Sequence, residues 1–130
     1  MQAEVVTWPG GEHAFRLALA QIEGLQQKTD AGPEWLAMRL RSGQWFATEA
    51  FEILRWGLIG GGMKPDAAKK AVVDAFDRHP VGAFKVPALT VIMAALYGPP
   101  DDEVGKPSLA GETTPNSESA DAGGSAPSTD

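Results

Sequence analysis

Clusters of glycine and proline interrupt this chain so often that no long helix or strand can run through it. Pro9-Gly10-Gly11, Asp30-Ala31-Gly32-Pro33, Gly43, Gly60-Gly61-Gly62 with Pro65, Pro80 with Gly82, and Pro99-Pro100 each cut an apolar repeat. Proline has no backbone N–H and glycine has the most freedom to lose, so such clusters end elements rather than continue them. The pieces between them predict a mainly α fold: a small helical domain of about five short helices with an N-terminal β-hairpin, followed by a disordered acidic tail.

The hairpin is read from Val5-Val6-Thr7-Trp8, the turn at Pro9-Gly10-Gly11, and the alternation of Phe15, Leu17 and Leu19 with Ala14, Arg16 and Ala18. A lone hairpin is marginal in water, so its apolar face must pack on helices or extend a partner's sheet. From about Ala18 to Lys28 the period becomes helical, with Leu19, Ile22 and Leu25 expected inward and Gly24 placed for close packing. Pro33 is suited to the first position of a second helix that should bury Trp35, Leu36 and Leu40 before Gly43. Thr48 is the expected N-cap of a third, whose stripes Phe51/Leu54/Leu58 and Ile53/Trp56 face different neighbours. The glycine run that follows is expected to end that helix and could act as a hinge. A fourth helix, from about Pro65 to Arg78, carries Ala68, Ala71, Val72, Ala75 and Phe76 on one face, and Lys70 one turn before Asp74 on the other. Pro87 is expected to open the last helix. Its stripe of Leu89, Ile92, Met93 and Leu96 is joined by Ala88, Val91, Ala94 and Ala95, so it should lie at the centre of the core or be covered by a partner.

Charge divides the chain at Pro99, giving a domain over 1–98 and an acidic tail over 99–130. The first part has ten acids and ten lysines or arginines, whereas the second has seven acids and only Lys106, so the net charge of −6 belongs to the tail. Such a tail repels phosphate backbones, which argues against a nucleic-acid partner, and without aromatics it cannot offset the entropy of ordering. Met1-Gln2-Ala3-Glu4 lacks the basic and apolar regions of a signal peptide, and the apolar stretch from Val86 to Tyr97 is well short of the roughly 20 residues that cross a bilayer. No membrane partner is expected, and the absence of cysteine fits the cytoplasm.

No constellation of catalytic, metal-binding or cofactor-binding residues emerges. His13 and His79 are isolated in sequence, Asp74 and Asp77 have Lys70 and Arg78 beside them, and Ser42, Thr48 and Thr90 have no base at motif distance. The glycine run at 60–62 follows a helix and lacks the lysine and hydroxyl of a phosphate-binding loop. The four tryptophans are more informative, because an indole suits a boundary between a dry side and a wet one. Trp8, Trp45 and Trp56, with Leu89, Ile92, Met93 and Leu96 of the last helix, are the candidate protein-binding residues, and a homo-oligomer is possible.

The order of these features resembles the small tail-assembly chaperones of long-tailed bacteriophages, prophages and the related gene transfer agents. The resemblance spans about residues 10 to 98. It is carried by His13-Ala14-Phe15-Arg16-Leu17-Ala18-Leu19 leading into Ile22-Glu23-Gly24-Leu25, by Pro33-Glu34-Trp35-Leu36-Ala37, by the helix from Glu52 to Ile59 closed by Gly60-Gly61-Gly62, and by Ala88-Leu89 through Ala94-Ala95-Leu96-Tyr97-Gly98. It implies a non-enzymatic chaperone that binds the tape-measure protein and helps recruit tail-tube subunits, working in the cytoplasm and absent from the mature particle. The alternatives are a structural tail component, in the tube or a minor tail part, retained in the particle, and a small enzyme with a polar pocket around His13, His79 or the Asp74/Asp77 pair.

Overall fold

The hairpin forms where the β-favouring residues stop at Pro9-Gly10. In the computed structural model, which describes residues 3–98, strand β1 (Glu4–Trp8) pairs antiparallel with β2 (Gly11–Phe15), Trp8 opposite Gly11 and Glu4 opposite Phe15. Gly11 has φ 121°, which a side chain would strain. The Trp8 indole folds over Gly10, where a Cβ would overlap its ring, and meets Phe15 and Phe84 edge to face. Its N–H donates to His13 Nδ1 at 2.9 Å. Trp8 is therefore core, 4% exposed, and not the surface anchor expected at the turn. The glycine at the bend leaves room for the indole to lie back along its own hairpin.

The strand alternation ends at Phe15. Phe15 and Leu17 are buried, but Leu19 opens helix α1 (Leu19–Thr29) and is 70% exposed, because the change from period 2 to period 3.6 turns it outward. Gln21 reaches back to take the Ala18 N–H, and Leu25 is fully buried. Helix α2 (Pro33–Ser42) starts on its proline and stops at Gly43, φ 80°. It buries Leu36, Ala37 and Leu40, and leaves Trp35 outside, contrary to expectation. Helix α3 (Ala47–Gly60) begins before Thr48: the Phe46 N–H donates to Glu49 Oε1 at 2.9 Å, so the glutamate caps the end that the threonine was expected to cap. The same oxygen accepts from Arg39 Nε at 3.1 Å, tying α2 to the start of α3. Helix α4 (Pro65–Arg78) turns Ala68, Val72 and Ala75 inward and pairs Lys70 with Asp74 at 3.0 Å. A 3-10 turn, Val81–Phe84, leads into α5 (Lys85–Tyr97), which takes up Pro87 in its first turn, where a missing N–H costs nothing. The acidic tail expected over 99–130 lies outside the described residues.

Helix α3 is the element around which the others assemble, touching α1, α4, α5 and β2. Its glycines make that possible. A Cβ on Gly57 would sit 2.8 Å from Phe15 Cδ2, and Cβ atoms on Gly60 and Gly61 would overlap the carbonyls of Arg16 and Ala14. The Arg16 N–H donates to the Gly57 carbonyl at 2.9 Å across the same contact. The glycine run is thus a docking surface for the exit of the hairpin and not the hinge considered from sequence. Gly24 of α1 admits the Trp56 ring in the same way, as its expected packing role requires. On the other side, Phe76 stacks on Phe84 at 3.8 Å and meets Phe51 at 5.5 Å. Helix α5 closes the core with Ala88, Val91 and Ile92, so its nearly all-apolar surface is largely satisfied within the protein.

Two stability measurements check this packing. Gly60→Ala and Gly61→Ala should each cost about 1–3 kcal/mol in urea unfolding, because backbone must move to admit the methyl group. Gly82→Ala, whose Cβ would meet nothing within 4 Å, should be close to neutral. His13→Ala removes the acceptor of a buried indole N–H and should cost about 1–2 kcal/mol. In a Trp8→Phe background the same His13 change should cost markedly less.

Candidate functional site

Helix α2 turns its smaller apolar residues to the core and its largest one to the outside. Leu36, Ala37 and Leu40 define the inner face, and at 100° per residue Trp35 and Met38 fall opposite them, 53% and 43% exposed. One turn after Trp35, the Arg39 guanidinium lies 4.6 Å over the ring of Phe46, which is 66% exposed ahead of α3. Glu49 fixes this arginine from below, so Phe46 has a rigid cationic neighbour. At the other end of α2 the Tyr97 hydroxyl, on the last residue of α5, is 3.4 Å from Glu34 Oε2. Arg41 Nη1 lies 3.3 Å from Met93 Sδ, where α2 packs on α5. The result is an exterior of Trp, Met, Phe, Tyr and Arg side chains, the residue types enriched in protein interfaces. Helix α2 is held by its packing on α5 and by the Arg39–Glu49 pair that ties it to the start of α3.

The residues singled out from sequence do not form one outer face. Trp8 and Ile92 are buried, at 4% and 0% exposure. Trp45, Leu89, Met93 and Leu96 are half-buried and pack against the core. Trp56 is half-buried between Gly24 and the Arg55 guanidinium, 4.8 Å away, and its indole N–H is buried without a partner. The exposed set, Trp35, Met38, Phe46 and Tyr97, was missed. The spacing of Leu36 and Leu40, with Ala37 between them, already set the inner face of α2 and placed Trp35 against it.

The two histidines, distant in sequence, do line one concavity. A cavity of about 230 Å³ lies between the hairpin turn and the end of α4, with His13, Asp74, Arg78 and His79 on its walls. His13 Nδ1 already accepts from Trp8 and Asp74 is paired with Lys70. No hydroxyl or thiol lines it to serve as a nucleophile. Among the described residues no group of three His, Cys, Asp or Glu could hold a metal ion, and no helix is long and apolar enough to cross a membrane.

A family model described as "Phage tail tube protein, GTA-gp10" matches residues 2–98 of the chain. Neither the curated proteins nor the solved structures include a match. The match keeps the phage and gene-transfer-agent setting that the sequence resemblance implied and overturns the chaperone reading, because the family it names is one of the tail tube itself. Since the match takes in the hairpin and every helix described above, the chain belongs to the phage tail tube protein family, GTA-gp10.

Proposed function

We propose that the protein is a non-enzymatic structural component of a phage-type tail, retained in the finished particle and held there by protein contacts. The observation that supports this most is the aromatic exterior of α2. The domain closes its core with Trp8, Phe84 and Ile92, yet it still leaves Trp35, Met38, Phe46 and Tyr97 in water. Large apolar residues on α2 and beside it, with an arginine fixed over one of them, gain most when a neighbour excludes water from them. Tail-tube subunits are the first partner this surface would meet, with the tape-measure protein as a second. The tail tube description of the family supports the same reading.

Purified particles should contain the protein at a constant ratio to the tube subunits across preparations, as read by quantitative mass spectrometry. Trp35→Ala combined with Met38→Ala should keep the circular dichroism and unfolding midpoint of the parent, since neither side chain supports the core. Incorporation into particles should fall about tenfold or more, the effect of losing one central anchor. Particles that lack the protein, or that take up the double variant as well as the parent, would refute the assignment.

A further inference from the structure

The cavity between the hairpin turn and the end of α4 shares no residue with the aromatic face of α2. Pro9, Gly10, Ala71 and Ala75 give it small, uncharged walls, and His13, Asp74, Arg78 and His79 are its polar ones. Trp8 settles what His13 can offer there. An indole N–H only donates, so the Nδ1 that receives it at 2.9 Å is bare and the ring hydrogen sits on Nε2. His13 is thus a donor without needing a charge. Arg78 adds a planar fork of N–H donors and forms no salt bridge among the described residues. Asp74 is balanced by Lys70 at 3.0 Å through Oδ2, which leaves Oδ1 as an acceptor. Donors outnumber acceptors on these walls and the arginine charge is unopposed, so the cavity suits an anion.

The charge of that anion is limited. Arg78 and His79 stand at the carboxyl end of α4, where the unpaired carbonyls amount to roughly half a negative charge, and Asp74 adds a carboxylate one turn back. A dianion such as phosphate is repelled by both, whereas a planar monoanion can lie in the fork of Arg78. A volume of about 230 Å³ is below the roughly 300–1,000 Å³ of pockets that enclose a whole small-molecule ligand, and it fits one short side chain. We propose that the cavity binds a single carboxylate presented by a peptide segment of another protein. The aspartate or glutamate side chain is held by Arg78 and the two imidazoles, and a neighbouring peptide N–H is given to Asp74. This inference does not depend on the tail assignment.

The test titrates the nitrogen-labelled full chain, in mildly alkaline buffer at constant ionic strength, with N-acetyl-aspartate N-methylamide, its asparagine counterpart, acetate and inorganic phosphate. The aspartate probe should shift the Trp8 indole N–H and the His13 and His79 ring signals with a saturating, millimolar dependence. The asparagine probe and phosphate should each bind about tenfold or more weakly, and acetate, which has the charge without the N–H, should also fall below the aspartate probe. Arg78→Gln changes an exposed side chain, so it should keep the parent circular dichroism and weaken the aspartate probe about tenfold. Lys28→Gln on α1 should leave binding unchanged. Shifts that rise linearly overturn the proposal, as does an asparagine or phosphate affinity equal to that of the aspartate probe, or an Arg78 variant that binds as the parent does. Acetate binding as tightly as the aspartate probe would assign the cavity to free carboxylic acids and overturn the peptide as its occupant.

Discussion

The contact between the glycine end of α3 and the exit of the hairpin is the constraint from which the rest of the fold follows. Two strands alone cannot bury enough surface to persist in water. Here the backbone of Ala14 to Arg16 lies directly on the backbone of Gly57 to Gly61, with a hydrogen bond from Arg16 to Gly57 sealing the approach. That closeness lets Phe15 reach Gly57 in the last turn of α3 and brings Trp8 against Phe84. Any side chain at Gly60 or Gly61 would hold the hairpin away and open the core beneath both rings.

With the hairpin seated, α5 has little left to hide. Its apolar surface is met by α2, α3, the 3-10 turn and β1. The excess of greasy helix that the sequence suggests is consumed inside the molecule. What remains outside is placed by rotation about the α2 axis: the residues that α2 turns to the core are Leu and Ala, and the bulky Trp35 and Met38 fall on the far side. The part-buried Arg39–Glu49 pair fixes that rotation, because Glu49 also caps α3 and cannot follow a turn of α2 without releasing the Phe46 N–H.

The boundaries of the elements are legible at Pro33, Gly43 and Pro65, because their local geometry leaves few choices, but not at Pro87, which is expected to open α5 and instead lies inside its first turn after Lys85. The faces were less legible. Leu19 is expected inward both at the end of the strand alternation and in the helix read from about Ala18; the helix does begin there, but its core face leaves Leu19 outside. Thr48 is a good cap by composition, but Glu49 reaches the same end of the helix and also holds Arg39, a tertiary reason that no single-helix pattern contains. The error about Trp8 has the same origin: a tryptophan beside a turn is at the surface unless the turn is small enough to let the ring fold back, and Gly10 is. The Trp35 and Met38 part of the exposed site is legible in α2 alone, since Leu36 and Leu40 set its inner face, whereas Phe46 and Tyr97 lie on other elements and join it only through the tertiary fold.

What the closed core leaves outside is the face of α2 with Phe46 and Tyr97 beside it, and such a face gains from excluding water and tolerates many shapes of partner. Because residues 1–98 carry as many positive as negative side chains, a contact made there has no net charge to overcome.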